Sequence, residues 1–258
     1  MPTFLFDKTI FGPVYSRRLG VSLGINLLPV DRKFCNFNCI YCECGWTNAR
    51  GGKLVLPDRT YLKEALTIKL KELKGTTNEP DTITFAGNGE PTIHPEFSTI
   101  IDDTIVIRNK FSPATKIGVL SNASTLRKPN VVEALKKVDQ NIQKLDTGIE
   151  ETFQILNQPK RKITVKTIVE YLELFKGKLI LQIMFLRGEY NGNYIDNTSE
   201  KELEAWIPLV KKINPEYVMI YSLDREAPAP GLKKISEVEL NDIAKKVEET
   251  GVRTKVYV

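Results

Sequence analysis

The sequence predicts an α/β fold, a partial (β/α)6 TIM-like barrel, on three observations. Strand-like and helix-like segments alternate from end to end, six strand–helix units follow one another, and unusual polar residues come after nearly every strand. Successive units of this kind imply parallel strands joined by right-handed crossovers, which form either a doubly wound sheet or a barrel. Polar residues after many different strands match the barrel, where reactive groups gather at the C-terminal strand ends. The chain has 258 residues and shows no internal repeat, low-complexity tract or linker. It therefore reads as one domain over residues 1–258, with a core of about 20–223 and a C-terminal helix and strand at 236–258.

Gly20 to Leu28 alternates as a strand and runs into Pro29. Arg59 to Leu73 places Leu62, Leu66, Leu70 and Leu73 near helical spacing. Thr82 to Ala86 is a short β-branched and aromatic run ending at Gly87, the pattern of a buried strand. Helix Phe97 to Ile107, strand Lys116 to Leu120, helix Val131 to Val138 and strand Asn141 to Leu145 follow. Next come helix Val165 to Phe175 and strand Lys178 to Leu186. Helix Ser199 to Ile213 opens on a capping box of Ser199 and Glu202. After a sixth strand, Tyr217 to Leu223, the last helix runs from Ser236 to Glu249. It has its own capping box with Glu239, and Gly251 ends it. Val252 to Val258 closes the chain as a strand.

Hydrophobic residues at 41% allow a sizeable core, and 37 basic against 32 acidic residues leave a net charge of +5. That excess permits a polyanionic partner such as RNA, yet lacks the dense basic stripe of a dedicated nucleic-acid binder. The start, Met1 to Lys8, has no basic n-region followed by an apolar h-region. The most apolar later run, Leu179 to Leu186, is too short to span a bilayer and contains Gln182. The expectation is a soluble, cytoplasmic monomer with no membrane partner.

All 4 cysteines fall between Cys35 and Cys44, in the segment Asp31 to Gly45, "DRKFCNFNCIYCECG". A disulfide framework would spread its cysteines along the chain, so a metal centre in a reducing compartment is expected. Cys35, Cys39 and Cys42 stand as CxxxCxxC. Three thiolates can ligate three irons of a cubane cluster and leave the fourth open to a small chelating molecule. The alternative is a structural zinc held by all four thiols. Such a site usually joins Cys pairs from separated segments, and here the only histidine is His94, so zinc would staple almost nothing.

The CxxxCxxC spacing, with aromatic Tyr41 just before the third cysteine, resembles the signature of the radical S-adenosylmethionine superfamily. The resemblance implies a barrel of the radical SAM type and a [4Fe–4S] cluster on Cys35, Cys39 and Cys42. Its open iron would be chelated by S-adenosyl-L-methionine, and a reductant such as flavodoxin or ferredoxin would supply electrons. Reductive cleavage would release a 5′-deoxyadenosyl radical that takes hydrogen from a substrate, a small molecule or a nucleoside- or tRNA-like one. Strand two ends in "FAGNGEPTIHP", Phe85 to Pro95. Gly87, Gly89 and Glu90 resemble the superfamily's GGE motif for the methionine amino group, with Asn88 in place of the second glycine. By the same resemblance Asn122 and Asp146, then Ser121 and Gln182, bind the ribose hydroxyls and methionine carboxylate. Ser, Asn and Asp after a strand are equally favoured helix N-caps. His94 is expected to fix the loop that carries Glu90.

"FGPVYSRRLG" (Phe11 to Gly20), "KLDTGIEETFQILNQP" (Lys144 to Pro159) and "YSLDREAPAPGL" (Tyr221 to Leu232) look like the branch of wyosine-type tRNA synthases. Those enzymes carry a second cluster on cysteines N-terminal to the first motif, and this sequence has no Cys before Cys35. One cluster is therefore expected, and the tricycle-forming activity is not carried over. Arg17, Arg18, Arg225 and Lys144 are the candidate substrate residues, since guanidinium forks suit phosphate or carboxylate. Rival readings are an activating enzyme for a glycyl-radical protein and a zinc-stapled RNA-binding module.

Overall fold

A computed structural model describes residues 4–47 and 54–258. Met1 to Thr3, part of the start read above for a targeting segment, lie outside them. The strands are β1 (Ile10–Ser16), β2 (Gly20–Ile25), β3 (Thr82–Phe85), β4 (Lys116–Ser121), β5 (Gln140–Lys144), β6 (Ile180–Tyr190), β7 (Asn193–Asp196), β8 (Tyr217–Ser222), β9 (Leu232–Lys234) and β10 (Thr254–Tyr257). The helices are α1 (Arg59–Leu73), α2 (Phe97–Phe111), α3 (Pro129–Leu135), α4 (Glu150–Leu156), α5 (Val165–Glu173), α6 (Glu200–Ile213) and α7 (Glu237–Glu248).

The sheet order is β1-β2-β3-β4-β5-β6-β8-β10, parallel throughout except for β1, which pairs antiparallel with β2. This is the expected partial barrel, with the terminal strand added as a further parallel member beside β8. It stays open, because β1 and β10 are its two edges. Beyond the barrel, β6 continues upward and pairs antiparallel with the short β7 and β9.

Side chains on the inner face close the bottom: Leu19, Ile142, Ile180 and Met219 form one buried cluster there. On the outer face the helices bury their apolar stripes against the sheet. Trp206 of α6 is 1% exposed, meets Phe185 edge to face, and donates its indole N–H to Leu145 O at 2.9 Å. That bond ties α6 to the end of β5, where site residues begin.

Several boundaries differ from expectation for local reasons. The first strand stops at Ile25 rather than Leu28 because Asn26 turns the chain, exchanging side-chain bonds with Leu28 N (3.2 Å) and Leu28 O (3.1 Å). Ser199 precedes α6 without a side-chain cap, and Glu202 instead accepts from Thr147 and Thr152, so no capping box forms. At α7 the Ser236 hydroxyl does accept from Glu239 N, at 3.3 Å. Sequence reading overlooked β1, α4, β7 and β9. β1 is an edge interrupted by Gly12 and Pro13, and the others are a 7-residue helix and strands of 4 and 3 residues.

Candidate active site at the mouth of the barrel

The cysteine loop leaves β2 and is held by main-chain bonds from three other segments. Phe34 N donates to Asn88 O (2.7 Å) and Glu90 N to Phe34 O (3.3 Å), so the loop lies against the turn after β3. That approach requires Gly89: at φ +144, a Cβ there would sit 2.0 Å from Phe34 O. Asn38 N and Ile40 N donate to Asn157 O and Leu156 O, both at 3.0 Å, at the end of α4. Ala229 N donates to Ile40 O at 3.1 Å. The buried side chains of Phe37 and Ile40 anchor the loop in the core.

Cys35, Cys39, Cys42 and Cys44 all face one cavity of about 480 Å³. Donors converge on the sulfurs. Phe37 N and Asn122 Nδ2 lie 3.4 and 3.6 Å from Cys35 Sγ, and Asn157 Nδ2 lies 3.4 Å from Cys39 Sγ. The Lys33 ammonium, 4% exposed and bonded to Gly45 O at 2.8 Å, sits among the thiols. Burial pulls it down, but Cys42, Cys39 and Cys35 hold it above its ordinary pKa. Burial pushes Cys35 up to about 12 and raises Cys39, while a hydrogen bond from Cys44 keeps Cys42 well below the usual thiol range. Cys44 is correspondingly raised, and its thiol also reaches Gly87 O at 3.4 Å.

Among the described residues no three His, Cys, Asp or Glu side chains converge closely enough to hold a single metal ion. A tetrahedral zinc needs its ligands around one point, with bonds of about 2.3 Å to sulfur. A cubane takes each thiolate on a different iron, so its ligands stand further apart. Three thiols on one loop, each facing the cavity and backed by amide donors and a buried cation, fit an anionic iron–sulfur cluster.

Glu90 is 2% exposed at the cavity wall. Its Oε1 accepts from Thr92 N (3.1 Å) and Thr92 Oγ1 (2.5 Å), and its Oε2 from Asn122 N (2.6 Å). Burial nevertheless outweighs these bonds and raises its pKa. A desolvated carboxylate at a cavity wall is a receptor for a cation. Gly87, Gly89, Ser121 and Asn122 line the same wall.

Two expected site residues stand behind it. The Asn88 side chain points the other way, exchanging bonds with Phe6 N and Phe6 O (both 2.9 Å) and donating to Pro29 O (2.8 Å). Asp146 is buried below Tyr41. It accepts from the Tyr41 hydroxyl, from Asn157 Nδ2 at 2.7 Å and from Met184 N at 3.2 Å. Lys144 Nζ completes the group, 2.7 Å from the Tyr41 hydroxyl oxygen and 3.6 Å from Asp146 Oδ2. Burial lowers the lysine, but Asp146, together with Tyr221, Cys39 and Cys42, more than compensates and its pKa lies above normal. Burial and Asp146 together raise Tyr41.

Gln182 lies on the opposite wall, where its Oε1 accepts from Arg18 (3.0 Å) and Tyr221 OH (3.3 Å). Arg17, Arg18, Lys144 and Arg225 all line the cavity. His94 does not. It is 3% exposed, accepts from Glu96 N on Nδ1 (3.2 Å) and faces Pro57 O with Nε2 (3.1 Å), and burial lowers its pKa. Sequence reasoning missed Lys33 and Asn157. It also missed Asn197, whose amide bonds Asp146 O and Met184 O (both 2.9 Å). Asn157 falls within the stretch Lys144 to Pro159 already singled out, which was the available signal.

The Radical SAM superfamily model matches residues 32–201. The chain is 32% identical over 237 residues to a UPF0026 protein of Helicobacter pylori (strain J99), covering 90% of this chain and 71% of that protein. It is also 32% identical over 248 residues to a protein named GTPase Obg from Brachyspira hyodysenteriae, covering 95% of this chain but only 34% of that one. The chain thus spans about a third of that relative's length. Among solved structures, TYW1 with a lysine–pyruvate adduct bound superposes with a TM-score of 0.66 at 15% identity. The match covers 90% of this chain and 75% of TYW1, a likeness of fold to the wyosine-type relatives. The chain belongs to the UPF0026 family and to the radical SAM superfamily, enzymes that bind a [4Fe–4S] cluster and S-adenosylmethionine.

Proposed function

We propose that Cys35, Cys39 and Cys42 hold one [4Fe–4S] cluster and that the wall from Gly87 to Asn122 receives S-adenosylmethionine. The observation that carries this reading is the Phe34–Gly89 pairing, which puts the three thiols and the Glu90 carboxylate on one cavity. Once bound, the two groups supply an electron and a 5′-deoxyadenosyl radical that takes hydrogen from a substrate. Glu90 takes the methionine ammonium, its lone pairs oriented by Thr92 and Asn122. Ser121 and Asn122 offer polar groups to the carboxylate and ribose. Lys33 and the Asn122 and Asn157 amides offset negative charge on the thiolates. Tyr41 and Asp146 brace the loop from beneath, so their contribution is orientation. Arg17, Arg18, Lys144 and Arg225 form the substrate side of the cavity.

Anaerobic reconstitution with iron and sulfide tests the assignment. A brown chromophore with roughly 3–4 Fe per chain is expected from cubane stoichiometry. Cys39→Ala should lose the cluster and all reductive cleavage of S-adenosylmethionine, whereas Cys44→Ala should retain both. Cluster loss in the Cys44 variant, or its survival in the Cys39 variant, would show the wrong three thiols had been chosen.

A further inference from the structure

The cations around the cavity differ in whether a carboxylate already neutralises them. Arg17 pairs with Asp224 at 3.0 Å and Arg225 with Glu43 at 2.8 Å, both well exposed, and Lys144 is matched by Asp146. Arg18 is different. It reaches from the β1–β2 turn into the barrel, half-buried, and no salt bridge to it forms among the described residues. Among the described residues its guanidinium donates only to the neutral Gln182 Oε1, at 3.0 Å, and rests 4.4 Å from the centre of the Tyr221 ring. Arg127, Arg161 and Arg253 also lack a carboxylate among the described residues, but each is exposed, where water serves instead. A guanidinium drawn out of water without a counter-ion is unfavourable until an anion arrives, and its remaining N–H groups form a fork suited to a planar acceptor.

We propose, resting on the reading of the cavity given above, that Arg18 receives a carboxylate of the substrate. A single positive charge left unmatched by carboxylate or thiolate balances a monoanion; a phosphate dianion would need a second free cation, but Lys144 is matched by Asp146 and Lys33 lies among the cysteine thiols. Gln182 and Tyr221 place this site at β6 and β8, with β5 between them and the Glu90 wall at the ends of β3 and β4. Apolar Leu120 and Met184 also line the cavity. The substrate class is therefore a small carboxylic acid with an apolar body, its acid group anchored apart from the S-adenosylmethionine groups.

The test is calorimetric titration of the reconstituted protein, saturated with S-adenosylmethionine under anaerobic conditions, with sodium benzoate and in parallel with inorganic phosphate. Saturable benzoate binding that weakens at least about tenfold in Arg18→Gln is expected, the loss of one charge-assisted fork. Arg18→Lys keeps the charge without the fork and should weaken binding less. It also serves as the comparison should Arg18→Gln not fold. Unchanged affinity in the variants, no saturable benzoate binding, or phosphate binding more tightly than benzoate would overturn the assignment. Repeating the titration on metal-free protein should show the same Arg18 dependence. The result therefore stands apart from whether the cysteine loop takes up iron.

Discussion

Glu90 is satisfied by three donors and still sits above the ordinary carboxyl range, because burial penalises its charge more than those bonds relieve it. The folded chain therefore holds this proton more tightly than the unfolded chain. Stability should fall as pH rises from the unfolded value of about 4.3 through the folded one. Measured against Glu90→Gln across that range, the melting temperature of wild type minus variant should decline with rising pH. The same variant should bind S-adenosylmethionine roughly 10- to 100-fold more weakly, the scale of one hydrogen bond between charged groups. Equilibrium binding to the reconstituted protein checks this. Asn157 makes a second case at this scale. Its amide serves Cys39 Sγ and Asp146 while its own Oδ1 has no partner among the described residues. Hydrogen bonds to cluster sulfurs favour the reduced, more negative state. Asn157→Leu should therefore lower the cluster's reduction potential, read by potentiometric titration, and cost about 10- to 100-fold in cluster affinity or activity. An unchanged potential would make Asn157 a packing residue only.

At the scale of elements, the site depends on a close approach between two loops. The turn after β3 can touch the cysteine loop only because residue 89 has no side chain. Gly89→Ala should cost at least about 2 kcal/mol, from a disfavoured φ and a collision with Phe34 O. A lower urea midpoint together with reduced iron uptake is the expected pair of results; normal uptake would mean the two loops do not need to meet. The N-terminal segment adds a further layer, because Asn88 grips Phe6 from the far side of the same turn. The departure from a second glycine in this motif thus has a local job, holding chain rather than ligand.

At the scale of the whole molecule, the barrel was legible because it is written in repeated signals. Each β-branched run was followed by a polar turn and a helical stripe, and no single unit had to be read well. The thiols and Glu90 were legible for another reason: cysteine spacing and a Gly–Glu turn are rare enough to stand out. Lys33 and Asn157 were not, because lysines and asparagines are common and their roles arise from tertiary closeness. Asn157 meets Cys39 across 118 residues of chain. Arg18 was visible as a candidate with Arg17 and Arg225, but only the structure shows which of the three lacks an acid. The added hairpin β1 and the β7 and β9 flaps left no periodic trace, being short, or interrupted by Gly12 and Pro13.

The main-chain bonds that Asn88, Glu90, Leu156, Asn157 and Ala229 make to the cysteine loop have a consequence for assembly. In small zinc modules the metal organises the chain, and apoprotein is unfolded. Here main-chain bonds and the buried Phe37 and Ile40 side chains also tie the loop to the barrel. Cluster insertion should accordingly proceed as a chemical step on a receptacle already shaped, with little heat-capacity change beyond that of ligand exchange. Amide hydrogen exchange offers the check: Asn38 and Ile40 should remain protected in the metal-free chain and gain little on loading. A jump in their protection would mean the receptacle is made by its cargo.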